Sequence, residues 1–282
     1  MSETTSTILE PPAQTKQEKP VADIALPDHH SSDDKSFTSR AWRHMLEDVR
    51  PSGFVEFELI FLTFCTGIQD AISFPDYHCF ASNQTGNTVF LLVALVLPWL
   101  DGDSFYVPNI GAALGFFLLG GWATGQISHI VGARMRLWLV GCNLLQSALV
   151  FIAAALQFRY GVVPQGGAAV MVVGLLAFAS GSQVVQSRSM KMTEISTAMA
   201  TAAWVDLIID PKLLRAQNRP RTRRVMFLLA LAGGSLAGAG VYRTAGSAVA
   251  VLLSAAGKLA VSIMYLFNSA EKPRKTEVDA NC

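Results

Sequence analysis

The chain has 282 residues, of which 51% are apolar and only 15% are charged. This composition is unusual for a soluble domain of that length and ordinary for a multi-pass membrane protein. The net charge of +1 gives no reason to expect a nucleic-acid partner. The four cysteines, Cys65, Cys79, Cys142 and Cys282, form neither a Cys-x-x-Cys pair nor a metal-ligand spacing, so no metal site is expected.

The first 50 residues are rich in Ser, Thr, Pro, Lys, Glu and Asp and contain almost no apolar cluster. Such a segment cannot bury a core, which predicts a disordered cytoplasmic tail over residues 1–50. It also lacks the apolar stretch of a secretory signal. Its last part, residues 40–50, fits a short amphipathic helix on the membrane surface equally well, and that alternative stays open.

Eight apolar segments follow from Phe54 onward, and a short polar tail over residues 269–282 ends the chain. Six of the segments are long enough, at about 20 residues, to cross a bilayer. The second and the sixth are shorter. We therefore expect an all-α integral membrane protein with about six full spans and two short helices that are broken or re-entrant. The segments cover residues 54–73, 85–100, 108–131, 136–158, 167–187, 195–209, 225–242 and 245–267.

The second half of the chain contains weak matches to the first. They pair Gly67-Ile-Gln-Asp-Ala with Gly181-Ser-Gln-Val-Val, Thr85-Gly-Asn-Thr-Val-Phe-Leu with Thr201-Ala-Ala-Trp-Val-Asp-Leu, and Gly120–Gly125 with Gly233–Gly238. The offsets are 114, 116 and 113 residues, which is one register within the drift that loop lengths allow. The matches predict two membrane repeats, residues 51–158 and 159–268, with four segments each.

The basic residues indicate how the two repeats are oriented. Short cytoplasmic loops of membrane proteins collect Lys and Arg. With six crossings and cytoplasmic termini, only Arg159 and Arg243 of the membrane-proximal basic residues lie outside. With eight crossings the outside residues are Arg134, Arg136, Arg188, Lys191 and Arg243. We therefore expect six crossings with inverted repeats, rather than eight crossings with parallel repeats.

Polar residues cluster where the first two segments meet. Asp70 ends the first segment, and Asn83-Gln-Thr-Gly-Asn87 directly precedes the second. A membrane protein places such residues at depth only against protein or water. A helix that begins there directs its positive dipole end at a cavity, which suits an anion or a carbonyl, although the same residues could simply cap the helix. The candidate pathway residues are Asp70, Asn83, Thr85, Gly86, Asn87, Gln183, Gln186, Thr201 and Asp206.

Other residues leave two interpretations open. Asp70 either lies solvated at the headgroup level or faces the bundle interior as a proton or cation site. Lys258, alone in the last segment, either snorkels or pairs with a carboxylate such as Asp70 or Asp206. Two clusters of small residues predict close helix packing rather than chemistry. Their glycines are Gly120, Gly121, Gly125, Gly233, Gly234 and Gly238.

Several of these motifs together resemble the YoaK-type membrane proteins, a family of bacteria and fungi that is named as a domain of unknown function. The resemblance covers about residues 53–268, and it implies about six spans but neither a reaction nor a substrate. In one departure, Ala202 follows Thr201 where the family tends to have glycine, which puts a glycine-dependent turn there in doubt. The matching residues are Gly67, Asp70, Ala71, Phe80, Asn83–Asn87, Gly181, Gln183 and Val205–Leu207.

Enzyme chemistry is not expected, because the chain contains no P-loop, nucleophile elbow or dinucleotide fingerprint, and no cofactor is implied. Two classes of function remain. We expect a secondary transporter of a small solute, and the alternative is a non-transporting receptor, scaffold or assembly factor. A continuous polar cavity joining Asp70, Asn87, Gln183 and Asp206 would favour the transporter, whereas separate pairs would favour the scaffold. The expected partners are the lipid bilayer and the solute, and the sequence indicates no dimerisation surface.

Overall fold

The computed structural model describes residues 32–102, 105–215 and 217–271. The chain divides into two units, residues 1–40 and 41–282, and the second unit contains all the helices from residue 53 onward. Short 3₁₀ turns follow two of the helices, at Pro98–Leu100 and Tyr265–Phe267. The α-helices of the described ranges are α1 Ser32–Leu46, α2 Gly53–Tyr77, α3 Gln84–Val96, α4 Val107–Val131, α5 Arg136–Tyr160, α6 Gly167–Ser189, α7 Ala200–Ile208, α8 Arg219–Ala245 and α9 Ser247–Met264.

Six helices of the described residues are long and apolar enough to cross a membrane, namely α2, α4, α5, α6, α8 and α9 with its terminal turn. The other two apolar helices are too short. At 1.5 Å per residue, α3 extends about 20 Å and α7 about 14 Å, against about 30 Å of hydrocarbon. The chain is therefore an all-α multi-pass membrane protein, and the predicted pattern of six long helices with two short ones is confirmed.

Local sequence fixes several helix ends. The Ser52 side chain accepts a hydrogen bond from Val55 N at 3.3 Å and so caps α2, and Asn218 caps α8 in the same way through Arg221 N at 3.2 Å. Gly161 ends α5 with a φ of 74° that side chains disfavour, and its N–H bonds back to the helix. Most helix ends lie within four residues of those expected from the sequence, whereas α7 begins five residues later and α8 six residues earlier than expected.

Helices α4 and α6 pack with their backbones in contact. A Cβ atom on Gly120 would lie less than 3.0 Å from the carbonyl oxygen of Phe178, and one on Gly181 would meet the carbonyl of Phe117 as closely. Any larger residue at either glycine would force the helices apart. The pair is therefore held at the separation that small residues permit in membrane helix interfaces.

Helices α2 and α8 pack by the same device. A Cβ on Gly67 would meet the carbonyl of Leu231, and one on Gly234 would meet the carbonyl of Phe64, again at less than 3.0 Å. Gly238 is nearly as tight, because its Cβ would lie 2.9 Å from Ile68 Cα. Of the other glycines expected in close packing, Gly121, Gly125 and Gly233, each would meet its neighbours only at ordinary distances of 3.6 Å or more.

The two ends of the bundle are distinct. At the end where α2 finishes, Asn109 donates hydrogen bonds to the carbonyls of Tyr77 and Pro164, at 3.0 and 2.8 Å. Few basic residues lie there, and Arg159 and Arg243 are the ones in α5 and α8. The other end, where α2 begins and α9 finishes, carries many more, and we call it the basic end. Its members include Arg134, Arg136, Arg188, Lys191, Lys212, Arg215, Arg219, Arg221, Arg223 and Arg224.

The basic end ties the first and last parts of the larger unit together. Arg136 is fully buried and donates hydrogen bonds to the carbonyl oxygens of His44 and Asn268, the latter at 2.6 Å. Val49, which is also fully buried, donates from its backbone N–H to the Arg134 carbonyl at 2.9 Å. Residues 41–50 are thus hydrogen-bonded to the bundle although most of their side chains are exposed, whereas the sequence predicts a disordered tail over residues 1–50. Residues 1–31 and 272–282 of the expected tails lie outside the described residues.

Candidate functional site

The segment after α2 turns back along that helix instead of leaving the bundle. Asp70 accepts hydrogen bonds from Ser82 N at 2.9 Å and from Ser82 Oγ at 2.5 Å, and Ser73 Oγ accepts from Ala81 N at 3.1 Å. Asp70 lies seven residues before the end of α2, which is about 10 Å along the helix axis. Helix α3 therefore begins at that depth, and it runs back toward the end of the bundle where α2 finishes.

Two asparagines build the start of α3. Asn83 precedes the helix, and its side-chain oxygen accepts from Gly86 N at 3.5 Å. Asn87 is fully buried: its side chain accepts from Phe80 N at 2.9 Å and donates to Phe80 O at 2.7 Å. The capping interpretation therefore describes Asn83, whereas Asn87, inside the first turns of α3, fixes the returning segment to the helix.

The approach to α7 is strained. Thr197 has a φ of 57°, which is unfavourable for a β-branched residue, and its buried hydroxyl makes no hydrogen bond in the part of the chain that is described. The next turn is held by Ser196, whose hydroxyl accepts from Met199 N at 3.0 Å. Backbone strain of this kind persists only where the surroundings enforce it, and it concentrates at binding and switching segments.

The first turns of α3 and α7 line one cavity of about 510 Å³, which we call the central cavity. Its volume falls within the range of small-molecule sites. Asp70 and Arg188 are its charged wall residues. The wall formed by α4 and α6 contributes apolar atoms and the two small residues Gly121 and Gly181. Its other polar and helix-start residues are Ser82, Asn83, Gln84, Thr85, Ala198, Met199, Ala200, Thr201 and Ala202.

A second cavity of about 320 Å³ adjoins the first toward the basic end. The two cavities share Arg188, Met199 and Ala202 as wall residues. Arg188 Nη2 lies 3.3 Å from the sulfur of Met199. This contact therefore stands where the central cavity meets the second one.

The second cavity contains Asp206, which pairs with Arg224 at 3.5 Å. Beyond α7 the loop closes on Asp210, whose carboxylate accepts from the backbone N–H of Lys212 at 2.8 Å and from the Asn218 side chain at 2.8 Å. These bonds, the first above all, lower the pKa of Asp210. Asp210 therefore stays ionised at neutral pH and fixes the connection between α7 and α8.

The structure brings four of the nine candidate pathway residues to the central cavity: Asp70, Asn83, Thr85 and Thr201. Gly86 lies beside them, with its Cβ position 3.4 Å from the Phe80 ring. Its φ is not positive, so the first turn of α3 does not depend on glycine, and Ala202 in α7 meets no conflict on that account. The remaining candidates, Asn87, Gln183, Gln186 and Asp206, do not line this cavity.

The two glutamines of α6 belong to a buried network on the other side of that helix. Gln183 donates to Thr66 Oγ1 at 2.9 Å, and Gln186 donates to the Leu139 carbonyl at 2.9 Å and accepts from Gln146 at 2.8 Å. Asp70, Asn87, Gln183 and Asp206 thus occupy separate hydrogen-bonded or ionic pairs. This is the arrangement that the scaffold alternative predicts for these four residues.

Two residues that were not among the nine candidate pathway residues have prominent positions. Lys258 is fully buried in α9 and donates to the side-chain oxygen of Gln183, and it forms no ion pair with the carboxylates of the described residues. Neither snorkelling nor pairing with Asp70 or Asp206 therefore describes it. Arg188, at the end of α6, faces both cavities. Because Arg188 lies at the end of a segment, its charge could equally serve membrane topology. The sequence therefore offered no signal to separate a topological charge from a residue of a cavity wall.

Six crossing helices, two half-length helices and a cavity at the start of both half-helices define a multi-pass helical membrane protein with an internal polar site. The chain belongs to the family described as protein of unknown function (DUF1275), whose model matches residues 59–264. No curated protein and no solved structure gives a significant match to the chain. The resemblance to a family of unknown function is thereby confirmed, while the YoaK-type designation stays a prediction.

Proposed function

We propose that this protein is a secondary transporter of a small solute and that the central cavity is its solute site. One observation carries the proposal: the first turns of two half-length helices meet at the same cavity inside a six-helix bundle. Discontinuous helices of this kind build the substrate sites of many secondary transporters, since their unpaired N–H groups face the solute. A packed scaffold has no comparable need for two helices that begin at membrane depth.

We infer further that the two halves, residues 51–158 and 159–268, are inverted repeats. In support, Gly67 and Gly181 occupy equivalent positions in the glycine-packed pairs, as do Gly120 and Gly234, and both correspondences have an offset of 114 residues. In the structure the glycine clusters therefore match at an offset of 114 residues, one more than the offset of 113 expected from the sequence. With six crossings, α2 and α6 run in opposite directions, as inversion requires.

The glycine-packed pairs suggest which parts move. Each pair, α2 with α8 and α4 with α6, takes one helix from each half. The central cavity lies between the pairs, because Asp70 and Leu231 line it from one side and Gly121 and Gly181 from the other. Rocking of one pair against the other would open the cavity to alternate sides without breaking the backbone contacts within a pair.

The orientation follows from charge. The basic end carries most of the arginines and lysines of the connecting segments, and short cytoplasmic loops are where such residues collect. We therefore infer that the basic end is cytoplasmic, which places both termini inside. The second cavity, between the central cavity and the basic end, is then the vestibule on the cytoplasmic side.

The scaffold alternative retains one specific observation, the separate pairing of Asn87, Gln183 and Asp206. Uptake measurements separate the two classes. Cells that overproduce the protein are screened with a panel of labelled metabolites, beside cells that produce the Thr201→Trp variant, in which the indole fills the central cavity. The control is Thr244→Trp, the same substitution at an exposed position outside both cavities.

The transporter proposal expects at least one metabolite to accumulate in cells with the natural protein and the Thr244→Trp control but not with Thr201→Trp, at equal amounts of protein in the membrane. If no member of a broad panel distinguishes the natural protein from Thr201→Trp, the scaffold function is favoured.

A further inference from the structure

We propose that the central cavity selects solutes that carry an oxyanion group, such as a carboxylate, and that Arg188 is the residue that binds this group. The proposal rests on the proposed function for the solute's passage, and it adds the chemical class of the solute. It starts from the two charges in the cavity wall, Asp70 and Arg188, because their hydrogen-bonding states differ.

The carboxylate of Asp70 is already occupied. Its Oδ1 accepts from Ser82 N and its Oδ2 accepts from Ser82 Oγ, and together these bonds hold the returning segment against α2. Asp70 therefore acts first as a positioning residue for the start of α3. Asp70 is also the one acidic residue of the cavity wall, and each of its oxygens already accepts one hydrogen bond, so it offers a cationic solute fewer acceptor sites than a free carboxylate would.

The guanidinium of Arg188 is largely free by comparison. Its hydrogen-bonding contact within the described ranges is the sulfur of Met199 at 3.3 Å, and no carboxylate of those ranges lies within ion-pairing distance. A thioether is a weak acceptor, whereas a guanidinium presents five donors in a planar fork that matches carboxylate and phosphate oxygens. Arg188 thus has both the charge and the donors to bind an oxyanion.

Two hydroxyls supply further donors. Thr85 and Thr201 lie in the first turns of α3 and α7, and both line the cavity. Neither hydroxyl has a hydrogen bond among the described residues, so both are available to a solute. The helix starts reinforce the preference, since the first turn of a helix carries partial positive charge and α7 has no side-chain cap. Arg188, the two hydroxyls and the helix starts therefore favour negative charge, whereas Asp70 opposes it and the apolar wall residues, such as Phe117, are neutral.

The test measures the charge preference of the cavity directly, so it does not depend on finding the solute. The full-length protein with Cys282→Ser is purified in detergent, and single cysteines are introduced as Thr201→Cys or as Gln165→Cys, an exposed position outside both cavities with no charged residue within five positions along the chain. Each is labelled with an anionic (sulfonatoethyl) and a cationic (trimethylammonium-ethyl) methanethiosulfonate. The readout is the ratio of the anionic to the cationic labelling rate, with the Cys282→Ser protein as background for the buried native cysteines.

We expect the ratio at Thr201→Cys to exceed that at Gln165→Cys by at least about fivefold, which is the effect of one nearby charge. Arg188→Gln should remove the excess, Arg188→Lys should keep most of it, and neither should change the ratio at Gln165→Cys. Equal ratios at the two positions, no reaction at Thr201→Cys, or an excess that survives Arg188→Gln would each overturn the proposal. The ratio in the protein with natural Arg188 decides even where Arg188→Gln fails to fold.

The result is separable from the transport proposal. An anionic preference that depends on Arg188, together with a negative uptake screen, would leave an oxyanion-binding site in a protein that does not transport. Uptake of a cationic or neutral solute together with equal labelling ratios would support the transport proposal and reject the oxyanion proposal.

Discussion

The carbonyl oxygen of Phe64 occupies the space in which a side chain on Gly234 would begin. Gly234→Ala must therefore push α8 away from α2, and overpacking of this kind costs about 1–3 kcal/mol. We expect a clear loss of thermal stability for the purified protein in detergent. Gly233→Ala is the matched control, because its Cβ would lie 3.9 Å from the Phe64 ring and should leave the melting temperature nearly unchanged. Equal melting temperatures for the two variants would contradict the backbone contact.

Asp70 holds Ser82, and through it the start of α3. Asp70→Asn keeps the size of the side chain but leaves only one acceptor oxygen and no charge, so one of the two bonds to Ser82 is lost. A hydrogen bond to a charged group contributes about 1.5–3 kcal/mol. We expect faster amide hydrogen exchange over residues 80–86 and reduced uptake of any solute that the screen identifies. Asp101→Asn, outside both cavities, should change neither. Unchanged exchange over residues 80–86 would show that Asp70 does not position α3.

The bundle ends should differ in accessibility from outside the cell. Val163, in the connection between α5 and α6, and Leu214, in the connection between α7 and α8, are both exposed. An impermeant thiol reagent added to whole cells should label Val163→Cys at once and Leu214→Cys only after the membrane is permeabilised. Labelling of both without permeabilisation, or the reverse pattern, would contradict six crossings with a cytoplasmic basic end.

Lys258 depends on Gln183 for its hydrogen bond. Gln183→Leu leaves the buried amine without that partner, and loss of a hydrogen bond to a charged group costs about 1.5–3 kcal/mol. The double variant Gln183→Leu with Lys258→Met removes both polar groups, so we expect it to melt well above the single variant. Gln69→Leu is the matched control, since Gln69 on α2 donates to the neutral Ser254 at 2.8 Å. If the single and double variants melt together, the amine has another partner in the fold.

The two parts of the N-terminal region should respond differently to deletion. Residues 41–50 include the His44 carbonyl that Arg136 binds and the fully buried Val49, whereas residues 1–40 form a separate unit. Deletion of residues 1–40 should leave the amount and melting temperature of the membrane-inserted protein unchanged. Deletion of residues 1–50 should lower both, as measured by fluorescence size-exclusion chromatography. Equal behaviour of the two deletions would show that the Arg136 contacts add little.

The sequence was sufficient for the helices and for the start of α3. The length of the apolar segments separates six crossing segments from two short ones. Asn83 and Asn87 indicate a helix that begins inside the membrane. Both signals are local, because a helix satisfies its own backbone in lipid and a cap acts within one turn.

The contacts that decide the roles of single residues are not local. Gln183 lies 75 residues before Lys258, and Ser82 lies 12 residues after Asp70 across a reversal of the chain. A polar residue inside a membrane segment predicts that the side chain has a hydrogen-bonding partner, but it does not identify that partner. For that reason the candidate residues included both cavity-lining side chains, such as Thr201, and side chains that only hold helices together, such as Gln186.

The contacts of the buried Arg136 form in a fixed order during synthesis. Its guanidinium binds two carbonyls, that of His44 before the first crossing helix and that of Asn268 after the last. During synthesis α5 is inserted long before residue 268 leaves the ribosome, so this guanidinium must wait with one of its carbonyls missing. The nascent bundle therefore stays incomplete until the final helix has been delivered, and a chain that stops at Phe267 would present quality-control proteases with six inserted helices and an unclosed basic end.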